Sequence, residues 1–525
     1  MVRRLPLLLG LALAPAAMAA KDKKAETKPA ATAAATSSSA PKPPDEKARA
    51  AAFADYDAEK ASGQKARAAD ALVALIDDPA RAAFHAEAYG KLGETLDSLD
   101  LPYSALVAFT KGFLLADDLS APIVGLHVPR AVELADKAGD LGILQEPFSK
   151  NLALARTEDV RGRMAYLAAR EAFRRDEFGM AGVLLKMVKE GDPVYPEAKL
   201  LEGVMLNQQG RPDDALTPFE KALAAGRDKP LGFRDLASLN VARSFYAAGN
   251  FPRAIQGYAA VSRGSEFWPE AQYERAWAHF RIDDFNGSLG VLMSLQTPFF
   301  ADWYFPEADL LRIYSAFLMC KFPQANEELE AFKVKYAPLA KQLDGVAGKS
   351  GADMFELGRQ WVQKGETSGL PIAVLRPFKG EERFEGAIVA VQRADDELKR
   401  MKGGASANPF TERARDWLQA RRDAIVKEEG ERLRDRIAGQ AQDLSGMVTD
   451  ADIFSLDVLR MQSQLYEQAA IRGKMEAAAR TVKREDKPRK GWREWPYEGE
   501  DWADELGYYR IEATPECPVS MQRGK

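Results

Sequence analysis

The stretch YPEAKLLEGVMLNQQGRPDDALTPFEKALAAG, residues 195–226, sets out the pattern that decides the fold. Its opening letters YPEA return as WPEA at 268–271 and as FPEA at 305–308. Later in the stretch, the small residues Gly203 and Ala215 precede Phe219. A catalytic site usually occurs once in a chain, so a short motif that recurs several times indicates structural repeats.

The small positions of this stretch recur along the chain at a regular step of about 34 residues. Ala181 lies one such step before Ala215, and Ala169 lies one such step before Gly203. The next copy, at Ala254, follows Ala215 by a longer step, and the extra residues of that step fall in the loop 227–235. A fixed period of this length is the sequence signature of stacked structural repeats.

An earlier unit gives the clearest match to a known repeat. Leu92 and Gly93 are followed by Ala105 and Phe109, which fits the pattern L-G, then A-x3-F. The chain therefore resembles the tetratricopeptide repeat (TPR), whose units recur about every 34 residues. The resemblance implies an all-α fold with a TPR α-solenoid of about six to seven helix pairs over residues 49–340. A poorly matched pair is expected within residues 121–155.

The residue types have a packing explanation. Each unit is expected to hold two antiparallel helices, in which small residues allow close approach and large ones fill the space between. No pair buries its apolar face alone, so the stacking of neighbours closes the core. The residues predicted to pack the repeats are Gly93, Ala105, Phe109, Ala169, Ala181, Gly203, Ala215, Phe219, Ala242, Ala254, Tyr258, Ala276 and Ala325.

The aromatic-PEA cassette is interpreted as a helix start. Pro is favoured at the first helical position, where its missing N–H costs nothing. Glu in the first turn suits the helix dipole, and the preceding aromatic residue can pack back as a hydrophobic staple. The alternative, that the three cassettes are ligand-binding loops, is less favoured.

The first 48 residues have the layout of an exported protein. Residues 1–20 combine Arg3 and Arg4 with a short Leu-rich core and small residues, which predicts a cleaved signal peptide. Residues 21–48 are rich in Ala, Pro, Lys and Ser and predict a disordered tether. No cysteine follows the cleavage site, so lipidation is not expected. These features predict a periplasmic protein, with possible proximity to the cell wall.

The repeat register fades after Pro338. Residues 341–408 predict a helical transition with helices at 353–364 and 383–402. Residues 409–487 place apolar side chains at helical spacing amid dense charge. We interpret this segment as a long helical hairpin with a turn near 448–451, and its charges as a solvated face.

The C-terminal tail, residues 488–525, is rich in aromatic side chains. One interpretation is a cap that closes the exposed end of the helical stack, and the alternative is an element that docks a partner. The aromatic residues in question are Trp492, Trp495, Tyr497, Trp502, Tyr508 and Tyr509.

Several functional classes find no support in the sequence. The net charge of −5 without a basic stripe argues against nucleic acid as a partner. The histidines lie in separate units without metal-ligand spacing, and no catalytic motif occurs. The acidic residues Glu500, Asp501, Asp504 and Glu505 are more consistent with a solvated face than with a metal or acid/base cluster. We therefore predict no catalytic residues, no metal or other cofactor and no small-molecule substrate.

The two cysteines leave one question open. Cys320 and Cys517 are the only cysteines of the chain. In an oxidising compartment they can form one bridge or remain two thiols, because sequence fixes no distance between them.

The tail carries a second resemblance. GEDWADELGYYR at 499–510, after WPY at 495–497, is similar to the ends of periplasmic TPR proteins of the myxobacterial adventurous gliding motility system. The resemblance implies a non-enzymatic scaffold within an envelope-spanning machinery, with inner- or outer-membrane components as partners. The alternatives are a periplasmic TPR factor for outer-membrane biogenesis or cell-wall enzyme regulation, and an enzyme with a TPR front and a novel catalytic end.

Overall fold

Helices form nearly all of the regular structure in the computed structural model. The structure describes residues 46–151, 154, 158–403, 408–472, 481–483 and 500–517. Within these ranges the only strands are β1 (Thr481–Lys483) and β2 (Arg510–Glu512), which pair antiparallel with Val482 opposite Ile511. The prediction of an all-α fold is confirmed at this level.

The N-terminal helices pack on one another in chain order. The first helix begins at Glu46, inside the segment predicted as a tether, so the tether boundary at residue 48 was placed too late. The predicted weak pair within 121–155 consists of short helices and 3-10 turns. The helices are α1 (Glu46–Ala61), α2 (Lys65–Asp77), α3 (His85–Ser98), α4 (Pro102–Leu115), α5 (Ala121–Val124), α6 (Val128–Ala138) and α7 (Gln145–Lys150).

The middle of the chain continues as helix pairs, in which each pair contacts the next. Three of these helices begin at the aromatic-PEA cassette, with Pro in the first turn. The helices are α8 (Glu158–Arg174), α9 (Phe178–Leu185), α10 (Tyr195–Gln208), α11 (Pro212–Ala225), α12 (Leu231–Ala247), α13 (Phe251–Ala259), α14 (Trp268–Arg281), α15 (Phe285–Leu295), α16 (Pro306–Leu318) and α17 (Phe322–Ala347).

Small residues face large ones between paired helices. A Cβ on Gly93 would lie 2.5 Å from the Phe109 ring, and a Cβ on Gly203 would overlap the Phe219 ring. Between α12 and α13 two small residues face each other, and a Cβ on Gly257 would lie 2.8 Å from the Ala242 Cβ. The structure buries all the residues that the sequence assigned to repeat packing, which are Gly93, Ala105, Phe109, Ala169, Ala181, Gly203, Ala215, Phe219, Ala242, Ala254, Tyr258, Ala276 and Ala325.

The C-terminal helices differ from the expectation in two places. The predicted boundary at residue 340 falls inside α17, which runs without a break to Ala347. The predicted hairpin is wrong, because one helix of 64 residues spans the supposed turn. Helices lie at both predicted positions of the transition segment. The helices are α18 (Gly351–Lys364), α19 (Ile372–Leu375), α20 (Glu382–Gly403) and α21 (Pro409–Arg472).

The helix α21 stays continuous because its apolar spacing is maintained through residues 448–451. Leu444 before this segment and Ala451 and Val458 after it are all buried. Their heptad spacing keeps them on one helical face, which packs against α17. The segment 448–451 reads VTDA and holds neither Gly nor Pro, the residues that most readily end a helix.

Helix α21 connects the first helix pairs to the last. At its start, the Phe410 N–H donates to Asp70 Oδ1 of α2 at 3.0 Å. Near its other end, the Phe454 ring lies 4.8 Å from the Phe317 ring of α16. At a rise of about 1.5 Å per residue the helix is about 96 Å long. The C-terminal segment therefore packs back along the repeats rather than forming a separate domain.

Candidate functional site

The described end of the tail, residues 500–517, lies on the repeats as a segment that we name the tail strap; it forms turns over residues 503–507 and is extended at β2. Its backbone is held by side chains of α15. Gly507 N–H donates to Ser294 Oγ at 2.7 Å, and Ala513 N–H donates to Asn286 Oδ1 at 3.1 Å. The Asn286 amide returns a hydrogen bond to the Ala513 carbonyl at 3.2 Å. Pairing of this kind recognises backbone groups rather than side chains, so it depends little on the sequence of the bound segment.

The strap approaches α15 closely at one glycine. A Cβ on Gly290 would lie only 2.5 Å from the carbonyl oxygen of Tyr509. Beside this point, Ile511 and Ala513 of the strap are buried with Leu289 and Met319. The strap thus combines backbone hydrogen bonds with a small apolar contact of its own.

Both ends of the strap are fastened. At the start, the Arg263 guanidinium donates to the Asp504 carbonyl at 2.8 Å and lies 4.2 Å from the centre of the Tyr508 ring. At the end, Glu516 pairs with the Lys321 ammonium at 2.8 Å. Cys517 is disulfide-bonded to Cys320 in the turn after α16. Of the two alternatives that the sequence left open, the structure has the bridge.

The aromatic tail residues have different surroundings. Tyr509 is buried, Tyr508 is partly buried and Trp502 is 48% exposed. Trp492, Trp495 and Tyr497 lie outside the described residues. The described strap runs along the side of α14–α16, whereas α17, the last helix of the stack, packs against α21. The part of the tail that the structure describes therefore does not close the end of the stack.

A second surface is a groove of about 520 Å³ between α9, α10 and α11, which we name the α10 groove. Apolar side chains in it include Phe178, Val183 and Met205. Its charged lining residues are the cations Lys186, Lys199, Arg211 and Lys221 and the carboxylates Glu202 and Asp214. The groove offers an apolar surface among charged side chains with an excess of positive charge.

Buried carboxylates in the described residues have structural partners. Glu397 of α20 is 1% exposed and accepts hydrogen bonds from the N–H groups of Tyr103 and Ser104 at 2.9 and 2.8 Å. Burial raises the pKa of Glu397, and these hydrogen bonds oppose the rise. The carboxylate therefore acts as a cap for the start of α4. Asp140 similarly accepts from Arg421 of α21 at 2.6 Å.

The three histidines are also accounted for by local contacts. His85 Nε2 lies 2.9 Å from the Asp78 carbonyl, and the His127 ring stacks on Phe109 at 5.2 Å. His279 Nδ1 lies 2.7 Å from the carboxylate of Asp284.

The acidic cluster of the strap forms local hydrogen bonds. Within it, Tyr509 OH donates to Asp501 at 3.2 Å and Trp502 Nε1 donates to Glu500 at 3.1 Å. Among the described residues, no group of three or more His, Cys, Asp and Glu side chains is arranged to hold a metal ion.

Comparison with models of protein families finds no match for this chain, and comparison with curated proteins finds none either. In the described part of the chain, no helix combines the length and apolar character needed to cross a membrane.

Proposed function

We propose that this protein is a non-enzymatic TPR scaffold of the periplasm that binds other proteins of the cell envelope. The observation that carries the proposal is the tail strap. The repeats hold a non-helical segment through side chain–backbone hydrogen bonds from Ser294 and Asn286, as a peptide-binding surface does. A chain that binds one of its own segments in this way is suited to binding segments of partners.

The TPR assignment is supported by period and packing together. The registered copies recur about every 34 residues, and consecutive helices contact one another as pairs. Gly93 against Phe109 and Gly203 against Phe219 provide the small-to-large contact that the repeat pattern requires. The helix starts at the aromatic-PEA cassettes agree with the same register.

The compartment is supported by two independent features. Residues 1–20 have the layout of a signal peptide, without a cysteine after the cleavage site for lipidation. The disulfide between Cys320 and Cys517 is of the kind that persists in oxidising compartments such as the bacterial periplasm. The mature protein is proposed to begin near residue 20 or 21.

The specific role is proposed from the tail resemblance. Residues 499–510 are similar to the ends of periplasmic TPR proteins of adventurous gliding motility. On this basis the protein is a periplasmic component of that envelope-spanning machinery, linking inner- and outer-membrane components. The alternative within the same class is a factor for outer-membrane biogenesis or cell-wall enzyme regulation, which gene neighbourhood would distinguish.

Crosslinking and purification of a tagged chain from its native cells test the proposal. Envelope proteins are expected to co-purify, and deletion of the gene is expected to impair surface motility or an envelope complex and to lower partner levels. A deletion strain with normal motility, normal outer-membrane composition and unchanged partner levels would overturn both scaffold roles. Catalytic turnover or a tightly bound metal in the purified protein would favour the enzyme alternative.

A further inference from the structure

The helices that form the α10 groove are an earlier copy of the helices that hold the tail strap. Helices α9, α10 and α11 begin at residues 178, 195 and 212, and α13, α14 and α15 begin at residues 251, 268 and 285. All three starts are separated by the same offset, which equals one regular repeat step plus the step lengthened by the loop 227–235. Equivalent positions of the two surfaces can therefore be compared residue by residue.

Three positions near the strap fall inside the α10 groove when they are shifted back by this offset, whereas Asn286 shifts to Asp213, which does not line the groove. Ser294, which accepts the Gly507 N–H, corresponds to Lys221. Gly290, which lies under the Tyr509 carbonyl, corresponds to Thr217. Gln272, beside Gly507, corresponds to Lys199. These three counterparts all line the groove.

The wall formed by α9 leaves room for a bound segment. A Cβ on Gly179 would meet nothing within 4 Å, and one on Gly182 would meet only the Met205 methyl at 3.7 Å. The nearby Val183 is 59% exposed. Thr217 stands where the strap surface has Gly290, so a segment here would lie further from α11 and nearer to the glycines of α9.

The polar groups of the groove indicate the character of what it binds. Lys186 and Lys221 are exposed and have no ion-pair partner among the described residues, whereas Lys199 pairs with Glu202 at 2.6 Å. Pro218 inside α11 has no N–H, so the Asp214 carbonyl lacks its usual helical donor four residues on. The two lysines without an ion-pair partner favour an acidic ligand.

We propose that the α10 groove binds a non-helical acidic peptide segment of a partner protein, with an aromatic or other apolar side chain seated against Phe178 and Val183. The chain's own strap has this composition in Glu500, Asp501 and Asp504 around Trp502, just before the residues Gly507 and Tyr509 that lie on the equivalent surface. The inference rests on the proposed scaffold function and assigns it a site and a partner chemistry.

Fluorescence anisotropy with a labelled peptide EDWADELGYYR, the sequence of residues 500–510, tests the site on the full oxidised mature chain. There the intramolecular strap is fastened by the disulfide, so added peptide has the α10 groove to occupy. Saturable binding is expected. The double variant Lys186→Glu/Lys221→Glu is expected to lower the affinity about tenfold or more through charge reversal.

The matched control is Lys341→Glu/Lys349→Glu, which makes the same charge change at two exposed lysines outside the groove. It is expected to bind the peptide like the parent chain. Thr217→Trp, which fills the groove without altering charge, provides a second block and is expected to lower the affinity as well. Affinities are compared only among variants whose melting temperatures equal that of the parent chain.

Absence of saturable binding to the parent chain, or an equal loss in the groove and control variants, overturns the inference. The same holds if Thr217→Trp folds and binds the peptide normally. In each of these outcomes, envelope partners that still co-purify with the groove variant would leave the scaffold function standing. Loss of all partners from the parent chain would instead count against the scaffold function itself.

Discussion

Gly290 lies directly under the carbonyl oxygen of Tyr509, where a Cβ would come within 2.5 Å of that oxygen. Gly290→Val is therefore expected to displace the strap from α15 and to lower the free energy of unfolding by about 1–3 kcal/mol. Chemical denaturation measures the change. Gly439→Ala is the control, because its Cβ would meet nothing within 4 Å and Ala favours a helix interior. Equal stability of the two variants would contradict the close approach.

Removal of the disulfide should free the strap while the repeats remain folded. The bond joins residues 197 apart, and loss of such a link costs about 2–5 kcal/mol. We expect Cys320→Ser/Cys517→Ser to melt at a lower temperature than the oxidised chain and to be cut by trypsin after the exposed Arg510. Reductant should have this effect on the parent chain and none on the double variant. If trypsin cuts the strap equally slowly with and without the disulfide, the remaining contacts are sufficient to hold the strap on the repeats.

Gly203 should tolerate no large side chain. Because the Phe219 ring occupies the space that a Cβ would need, Gly203→Leu is expected to cost about 1–3 kcal/mol or more. Pro196→Ala lies in the first turn of α10, where either residue is compatible with the helix, and should cost much less. Thermal melts that rank these two variants in the opposite order would mean that the repeat register is wrong.

Proline at residue 449 distinguishes a continuous helix from a hairpin turn. Thr449 is exposed and lies in the interior of α21, so Thr449→Pro should cost about 3 kcal/mol or more through a lost hydrogen bond and a steric clash. Thr449→Ala removes only the hydrogen bond from its hydroxyl to the Ser445 carbonyl, and serves as the control. If denaturation curves show the proline variant to be as stable as the alanine variant, the result would support a hairpin turn at this position instead of a continuous helix.

Asp284 should contribute stability that depends on pH. Its hydrogen bond with His279 is the main cause of a lowered pKa, and the Gly287 N–H lowers the pKa further while burial opposes both. A carboxylate with a lower pKa in the folded state stabilises the fold above its ordinary value of about 4, and this contribution fades as the pH falls through the folded value.

The comparison is between the parent chain and Asp284→Asn, which keeps an N-cap oxygen for α15 but removes the charge. The difference in melting temperature should be present at about pH 5 and should shrink in more acidic buffer, as the pH falls through the lowered pKa of Asp284. Asp283→Asn, at an exposed neighbouring position with φ of 60° that Asn tolerates, is the control. A difference that does not change with pH would contradict the role of the charge.

The local parts of the fold could be predicted from the sequence because they depend on short-range signals. Pro in a first turn and small residues at a fixed period place α10, α14 and α16 without knowledge of the rest of the chain. The continuity of α21 through residues 448–451 also has a local signal, because Leu444, Ala451 and Val458 keep a heptad spacing and the segment holds neither Gly nor Pro. The sequence does not show the partner of this helix, because the contact between α21 and α17 links segments that are distant in the chain.

The strap could not be located from the sequence, because most of its anchors are single side chains that contact backbone. Asn286 and Ser294 are ordinary polar residues, and their partners Ala513 and Gly507 lie far along the chain from them. The sequence holds one signal of the strap-binding position. Gly290 occupies the middle of a helix, where Gly costs about 1 kcal/mol relative to Ala, and such a residue often marks a close backbone approach.

Helix α21 gives the repeats a mechanical property that a plain stack lacks. Repeat units that contact only their neighbours can bend at every junction, so a plain stack lengthens when its ends are pulled apart. Because α21 is fastened to α2 near Phe410 and to α16 near Phe454, pulling the two ends apart must shear its contacts along most of its length. A load applied at either end is therefore expected to be carried partly by α21, which resists separation of its two attachment points.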